Sequence, residues 1–281
     1  MAQRQNVGKQ VPKVNHGNRP EFVEYYLAAA NSRAAVERSK AIRATVKAVL
    51  TQFGWRNDTS LKVADIGCGP GAQSAVWLEE GHHVYGLDVS EAFVEEARER
   101  LGGTPRAEFL VGSAASLPWP DALMDVCLMP ELLEHVPQWQ RSLAEAVRVL
   151  KPGGVLYLST TNTLCPRQDE FRLPFYSWYP GVLKRKFAML AQTTWPGIAG
   201  YATYPAVNWF SYPGLLGYLK AMGLTPYDRF QLAAIRGITG WKGSSVNWIA
   251  EHPLARRLAY FACSSSVVLA VKRPAHQLHA G

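Results

Sequence analysis

The nine residues Val63-Ala64-Asp65-Ile66-Gly67-Cys68-Gly69-Pro70-Gly71 carry the densest chemistry in the chain. Glycine lets a backbone turn sharply and lets a ligand reach the main chain where a Cβ would stand in the way. A strand running into a glycine-rich turn and then a helix is the nucleotide site of doubly wound folds. The spacing D-x-G-x-G-x-G differs from the G-x-G-x-x-G of a dinucleotide site, which argues against a nicotinamide oxidoreductase. Asp65 would also repel a pyrophosphate at the strand end, and it suits a cationic group such as an amino acid's ammonium. The competing reading is a tight strand–helix turn that binds nothing. Asp88 ends the next apolar run, where a carboxylate can accept from both hydroxyls of a ribose.

A second group is Glu131-Leu132-Leu133-Glu134-His135. At helical spacing i, i+3 and i+4, Glu131, Glu134 and His135 would share one face. His135 can deprotonate a phenol or alcohol near neutral pH. The three side chains can instead hold Mg²⁺ or Zn²⁺ and lower the pKa of a bound hydroxyl. They can also merely orient a loop and a helix end. The catalytic assignment rests on His135, Glu131 and Glu134, with no metal.

These residues need elements to position them. Strands are predicted at residues 62–67, 83–88, 107–111, 124–129 and 155–160, with a turn at 151–154 leading into the last. Helices are predicted at 72–80, at 91–101 and from the fourth strand to residue 150. Two helices are predicted between residues 21 and 53. This alternation implies βαβ units and a parallel sheet covered on both faces. Beyond residue 163 the pattern breaks, and it resumes with a helix at 212–222 and a strand at 224–231. One helix at 246–261 and a strand at 266–272 follow, with a hairpin pair of strands expected to close the sheet.

The domain reading is a flexible basic arm at 1–19, helices and a cofactor-binding core at 20–162, and an aromatic-rich insertion at 163–211. The rest of the core follows at 212–273, with a tail at 274–281. The insertion is conspicuous: residues 171–212 hold twelve aromatics, in a chain with nine Trp, twelve Tyr and ten Phe. Rings over a pocket argue for an apolar or aromatic acceptor shielded from water. Lys184-Arg185-Lys186 beside Trp178, Tyr179 and Phe187 suggests a contact with an anionic membrane surface. The alternative is a segment whose rings pack on one another.

With 281 residues and 48% hydrophobic content, the chain can bury a substantial core. A formal charge of +8 favours an acidic partner. The basic residues are spread along the chain, which argues against nucleic acid. The four cysteines form no C-x-x-C pair, so buried thiols in a cytoplasmic compartment are expected rather than a zinc ribbon or disulfides. The first twenty residues read as no secretory signal, and no run is long and apolar enough for a membrane span. No feature sets an oligomeric state.

Five blocks together resemble the class I S-adenosylmethionine-dependent methyltransferases: VADIGCGPG, GLDVS, the 112–115 turn with Leu117-Pro118-Trp119-Pro120, DVCLMPELLEHV, and RVLKPGGVLYLST. The ELLEHV stretch is similar to that of ubiquinone-biosynthesis O-methyltransferases. It also resembles the E-x-x-E-H-H metal motif of small-RNA 2′-O-methyltransferases, with Val136 replacing the second His. The resemblance implies an α/β fold, a Rossmann-like seven-stranded sheet flanked by helices, with a lid inserted after the fifth strand. It implies S-adenosylmethionine as cofactor and S-adenosylhomocysteine as product. Asp65 and Gly67 would hold the methionyl part, and Cys68, Gly69 and Gly71 of the same turn would also contact the cofactor. Asp88 and Val89 would lie at the ribose, Ser113 and Ala114 at the adenine, and Pro130 and Glu131 along the open side. Many relatives carry Asp where Ser113 stands. The activity expected is methyl transfer to an oxygen of a small, apolar, aromatic or lipid-like acceptor. The alternatives are a sugar, carboxyl, natural-product or RNA acceptor, or a scaffold without catalysis.

Overall fold

A computed structural model describes residues 27–30, 32–56, 58–168, 170–199 and 206–273. The basic arm, the tail, the start of the first predicted helix, Tyr201 and Tyr204 lie outside the described residues. Residues 27–30 are helical, and Ser32 then caps α1 (Arg33–Gln52), its side chain accepting from the Ala35 N–H.

Seven strands form one sheet: β1 (Lys62–Ile66), β2 (His83–Asp88), β3 (Ala107–Val111), β4 (Met124–Pro130), β5 (Leu150–Thr161), β6 (Leu224–Asp228) and β7 (Ser265–Lys272). Their order is β3-β2-β1-β4-β5-β7-β6, parallel except for β7, which lies antiparallel between β5 and β6. Helices α2 (Ala72–Glu79), α3 (Glu91–Leu101), α4 (Trp139–Val149), α5 (Gly181–Gln192) and α6 (Tyr212–Ala221) follow in chain order. After β6 come α7 (Arg229–Ile235), α8 (Gly240–Glu251) and α9 (Pro253–Ala259).

The near-continuous apolar strands follow from burial on both faces. Along β4 and β5, Cys127, Met129, Leu156 and Leu158 join one core with α4 and α6. Val126, Leu128, Val155 and Tyr157 join the other, with Val46 and Val49 of α1 and Trp77 of α2. The strand order reverses at β1, between β2 and β4, the switch point at whose carboxyl edge doubly wound folds bind ligands.

Three expectations are corrected. Residues 151–154 lie within β5 instead of forming a separate turn; Gly153 takes φ +81° and the register against β4 shifts between Met124 and Val126. The strand expected to reach 231 stops at Asp228, because that side chain accepts from the N–H groups of Phe230 and Gln231 and starts α7. The single helix expected at 246–261 is two, since Pro253 drives His252 to φ −104°, ψ 103° and so out of the helical region.

Asp228 is buried and also accepts from Tyr260 Oη at 2.7 Å and pairs with Arg256 Nε at 3.2 Å. It therefore anchors both ends of the α7–α9 segment. Asp228→Ala removes a cap and leaves a guanidinium and a phenol without their acceptor. A loss of about 2–4 kcal/mol is expected in denaturant unfolding, and an unchanged midpoint would contradict the anchoring role.

Candidate active site

Gly67, Gly69 and Gly71 adopt φ +76°, +52° and +85°, all left-handed conformations that side chains resist. A Cβ at Gly67 would come 2.8 Å from Leu132 Cδ1, and one at Gly71 2.8 Å from Leu101 Cδ1; at Gly69 it would meet nothing within 4 Å. The outer two glycines thus serve packing, and the middle one opens onto free space. The N–H groups of Gly67 and Cys68 both donate to Leu87 O, fastening the turn to β2.

Asp88 completes that fastening. Its Oδ2 accepts from Gly69 N–H and its Oδ1 from Ser90 N–H, each at 2.9 Å. Each oxygen keeps acceptor capacity for a further donor, and burial raises the carboxyl pKa above its ordinary value. Asp65 is buried at the end of β1; its Oδ2 accepts from Ser74 Oγ at 2.7 Å. Its Oδ1 is buried without a hydrogen-bond partner among the described residues, and desolvation pushes the carboxyl up to about 6.

The remaining residues expected in the cradle are placed unequally. The Cys68 side chain packs with Val94, Ala97 and Phe109, so only its backbone faces the turn. Val89 is exposed beyond Asp88. Ser113 is exposed and its Oγ accepts from Ala115 N–H at 3.2 Å, while Ala114 is buried in the main core. Arg148 pins the loop that follows, donating to Leu117 O and Trp119 O. Pro130 ends β4 opposite Ser159. A buried carboxylate oxygen lacking a donor, a second carboxylate with acceptor capacity to spare and an unobstructed Gly69 fit the ammonium and ribose of S-adenosylmethionine.

The second group is built differently from expectation. Residues 131–138 form turns and α4 begins only at Trp139, so Glu131, Glu134 and His135 share no helical face. Glu131 takes φ +49°, a strained value for a non-glycine residue, with its N–H donating to Ser159 O at 2.9 Å. Glu134 is fully buried, and its Oε2 accepts from Thr160 Oγ1 at 2.8 Å while Oε1 has no hydrogen-bond partner among the described residues. Burial, then the neighbouring Glu131 carboxylate, hold its carboxyl well above the usual range. Glu134 and His135 converge with Glu170, each offering a donor atom within 4.8 Å of the others. Two carboxylates and an imidazole suit proton transfer, and the same donor set can hold a divalent cation.

Glu170 comes from residues 162–211, which follow β5. The main-chain N–H groups of Val207 and Asn208 donate to Glu134 O, and Asn208 Nδ2 donates to Leu133 O and Val136 O. This segment has its own small core, in which Phe171 stacks on Tyr176 at 4.1 Å and Tyr176 meets Trp209. Lys184 is drawn into it, over the Trp209 ring at 4.0 Å and donating to Ser177 O; burial lowers its pKa to about 8. The expected basic surface triplet is therefore corrected: Arg185 and Lys186 are exposed and Lys184 is turned inward. Phe175, Trp178 and Trp195 remain exposed.

Sequence reasoning missed Ser74, Thr160, Asn208 and Glu170. Thr160 lies within the strand block already singled out. Glu170 and Asn208 sit in a stretch with no periodicity, so nothing in their spacing marks them. All four cysteines are free and buried, and no described helix is long and apolar enough to cross a membrane.

Residues 64–158 match the family model described as a methyltransferase domain. A demethylmenaquinone methyltransferase of Tropheryma whipplei is 30% identical over 176 residues, covering 62% of this chain and 71% of that protein. A probable S-adenosylmethionine-dependent methyltransferase of Mycolicibacterium smegmatis is 37% identical over 117 residues, covering 41% of this chain and 44% of that one. The match spans less than half the length of several of the curated relatives. An S-adenosylmethionine-dependent methyltransferase structure from Mesorhizobium loti shares the fold, with TM-score 0.53 and 20% identity over 83% of this chain and 96% of that one. The chain belongs to the S-adenosylmethionine-dependent methyltransferase family, whose cofactor is S-adenosylmethionine.

With Asp65 as the ammonium acceptor, cofactor affinity is expected to fall as pH drops through about 6, where its carboxylate takes up a proton. Asp65→Asn is expected to weaken binding about tenfold and to flatten that dependence. Calorimetry between about pH 5 and 8 reads both effects; an unaltered pH profile in the variant would remove Asp65 from the cofactor contact.

Proposed function

We propose that this chain transfers a methyl group from S-adenosylmethionine to an oxygen of a small apolar, aromatic or lipid-like acceptor, with His135 taking the acceptor's proton. The observation that carries this reading is the convergence of His135 with Glu134 and Glu170 beside an aromatic-rich segment. The bound cofactor supplies an electrophilic methyl on a sulfonium. Asp88 and the open face of Gly69 hold the nucleoside, and Asp65 holds the ammonium. The Pro130–Glu131 bend lines the cofactor's open side and the 113–114 turn flanks the adenine. Imidazole nitrogen accepts the hydroxyl proton as the oxygen bonds to the methyl carbon, and a nearby carboxylate steadies the imidazolium. Residues 162–211 act as the lid that keeps water out and the acceptor aligned.

Relatives named for demethylmenaquinone and for 2-methyl-6-phytyl-1,4-hydroquinone support a ring-bearing, apolar acceptor. They also favour a second reading, in which the methyl goes to a ring position and His135 takes the ring proton. NMR of the product from a hydroquinone acceptor separates an O-methyl from a ring methyl. Exposed Arg185 and Lys186 beside Phe175 and Trp178 support contact of the lid with an anionic membrane surface. No divalent metal enters this reading, so turnover is expected to survive chelator; loss restored by added Mg²⁺ or Zn²⁺ would instead favour a cation at Glu134, His135 and Glu170.

Two variants test the assignment. His135→Ala is expected to lower kcat about 100-fold or more with the cofactor Kd unchanged; full turnover would reduce His135 to a structural role. Asp88→Ala is expected to abolish cofactor binding in calorimetry, because both the ribose acceptor and the Gly69 anchor are lost. Retained affinity would place the nucleoside elsewhere.

A further inference from the structure

The segment between β6 and β7 carries an apolar surface outside the cofactor cradle. Trp241, Leu254 and Leu258 are 77%, 75% and 72% exposed, the highest values among the exposed large hydrophobics of the described residues. Trp241 and Trp248 lie seven positions apart on α8, and Leu254, Leu258 and Phe261 follow at spacings of four and three through α9 and the turn after it, so each set shares a helical face. Helix α9 buries none of its residues, although a short helix gains most of its stability by burying an apolar face.

The placement of this surface is equally specific. Asp228 at the end of β6 pairs with Val268, and Ser265 at the start of β7 pairs with Thr161 at the end of β5. Helices α7–α9 therefore leave and rejoin the sheet at its carboxyl edge, the edge that carries Gly67–Gly71, Asp88 and the 131–138 turns. Asn162 Nδ2 reinforces this, donating to Tyr260 O and Cys263 O at 2.8 Å each, directly where the lid segment begins.

We propose that the exposed faces of α8 and α9 dock on the surface of an anionic phospholipid bilayer, presenting the active-site edge to it. Arg236 and Arg257 of the same segment are exposed, Glu251 is the single acid between residues 229 and 262, and the whole chain carries +8. Indole and leucine side chains flanked by cations suit the headgroup boundary. In a symmetric pair of copies, the same basic residues would face one another across the contact. Docking explains how an acceptor dissolved in lipid reaches the site, and to that extent it rests on the proposed lipid-like substrate. The binding itself does not require that substrate.

The test is co-sedimentation of the full chain with phosphatidylcholine vesicles, with and without about 30 mol% phosphatidylglycerol, in the absence of cofactor and acceptor. Wild-type protein is expected to pellet with the anionic vesicles and to be released by salt. The exposed pair Leu254→Ser with Leu258→Ser is expected to lower the partition coefficient about tenfold or more, and Arg257→Glu to lower it with a reduced salt dependence. Arg185→Glu with Lys186→Glu reports separately on the lid. Equal partitioning of the leucine variant and wild type overturns the proposal. If gel filtration then shows the variant losing a dimer, the face joins two copies instead. Failure on vesicles with soluble acceptor still methylated would leave the catalytic reading standing.

Discussion

A carboxylate taken out of water must be given donors or a proton, and this fold places four acids under that constraint at one edge of its sheet. Asp65, Asp88 and Asp228 close β1, β2 and β6, and Glu134 lies in the turns after β4. Their partners divide them. Asp88 and Asp228 have both oxygens occupied, by main-chain N–H groups of the next element and, for Asp228, by Arg256 and Tyr260 as well. Asp65 and Glu134 each receive one hydroxyl, from Ser74 and Thr160, and each keeps one oxygen without a hydrogen-bond partner among the described residues. Asp228 is thereby committed to the architecture, whereas Asp88 fastens the glycine turn and still keeps acceptor capacity on each oxygen. An unsatisfied buried oxygen costs stability, so its presence twice on the same edge marks where stability has been yielded to binding.

The parallel core was legible because its signals are local and agree with one another. Residues 83–88 and 107–111 are short runs set between helix-forming stretches and turn signals, and β2, α3 and β3 fall on the expected boundaries. The glycine turn was legible for the same reason, since alternate glycines after a strand mark backbone that takes left-handed conformations other residues resist. The errors lie where one side chain overrides propensity. Leu224 through Gln231 reads as a strand until Asp228 recruits two N–H groups and turns the backbone into α7. Residues 131–138 read as a helix start by spacing alone, but Glu131 at φ +49° with its N–H on Ser159 commits the chain to a bend that helical periodicity cannot represent.

The candidate site was therefore only half visible. Asp65 and Asp88 sit in a contiguous motif, whereas Glu170 reaches His135 from the segment after β5, across a separation that only tertiary structure sets. The aromatic content of that segment left the packing of its rings open, and the structure separates them into two sets. Phe171, Tyr176 and Trp209 pack inward and hold Lys184 against them, while Phe175, Trp178 and Trp195 face solvent. Half-buried Lys184 sets its ammonium over the Trp209 and Tyr176 rings, whose π faces replace part of its hydration, and burial lowers its pKa to about 8.

The turns after β4 and the segment after β5 behave as one unit because each satisfies the other. Residues 131–138 lack helical hydrogen bonds, so carbonyl groups there need outside donors. Leu133, Glu134 and Val136 receive theirs from Val207 and Asn208. Ala206 N–H in turn donates to Glu170 Oε2, holding the carboxylate that meets His135. Displacing the 206–208 strap would thus remove main-chain donors from the turn and loosen Glu170 in the same motion. Burial keeps the Glu134 carboxyl well above its usual range and so disfavours its ionised form. Of the two carboxyl groups converging on His135, Glu170 is the partly exposed one. It follows that the proton chemistry proposed for His135 depends on a segment that the glycine-rich core neither contains nor specifies.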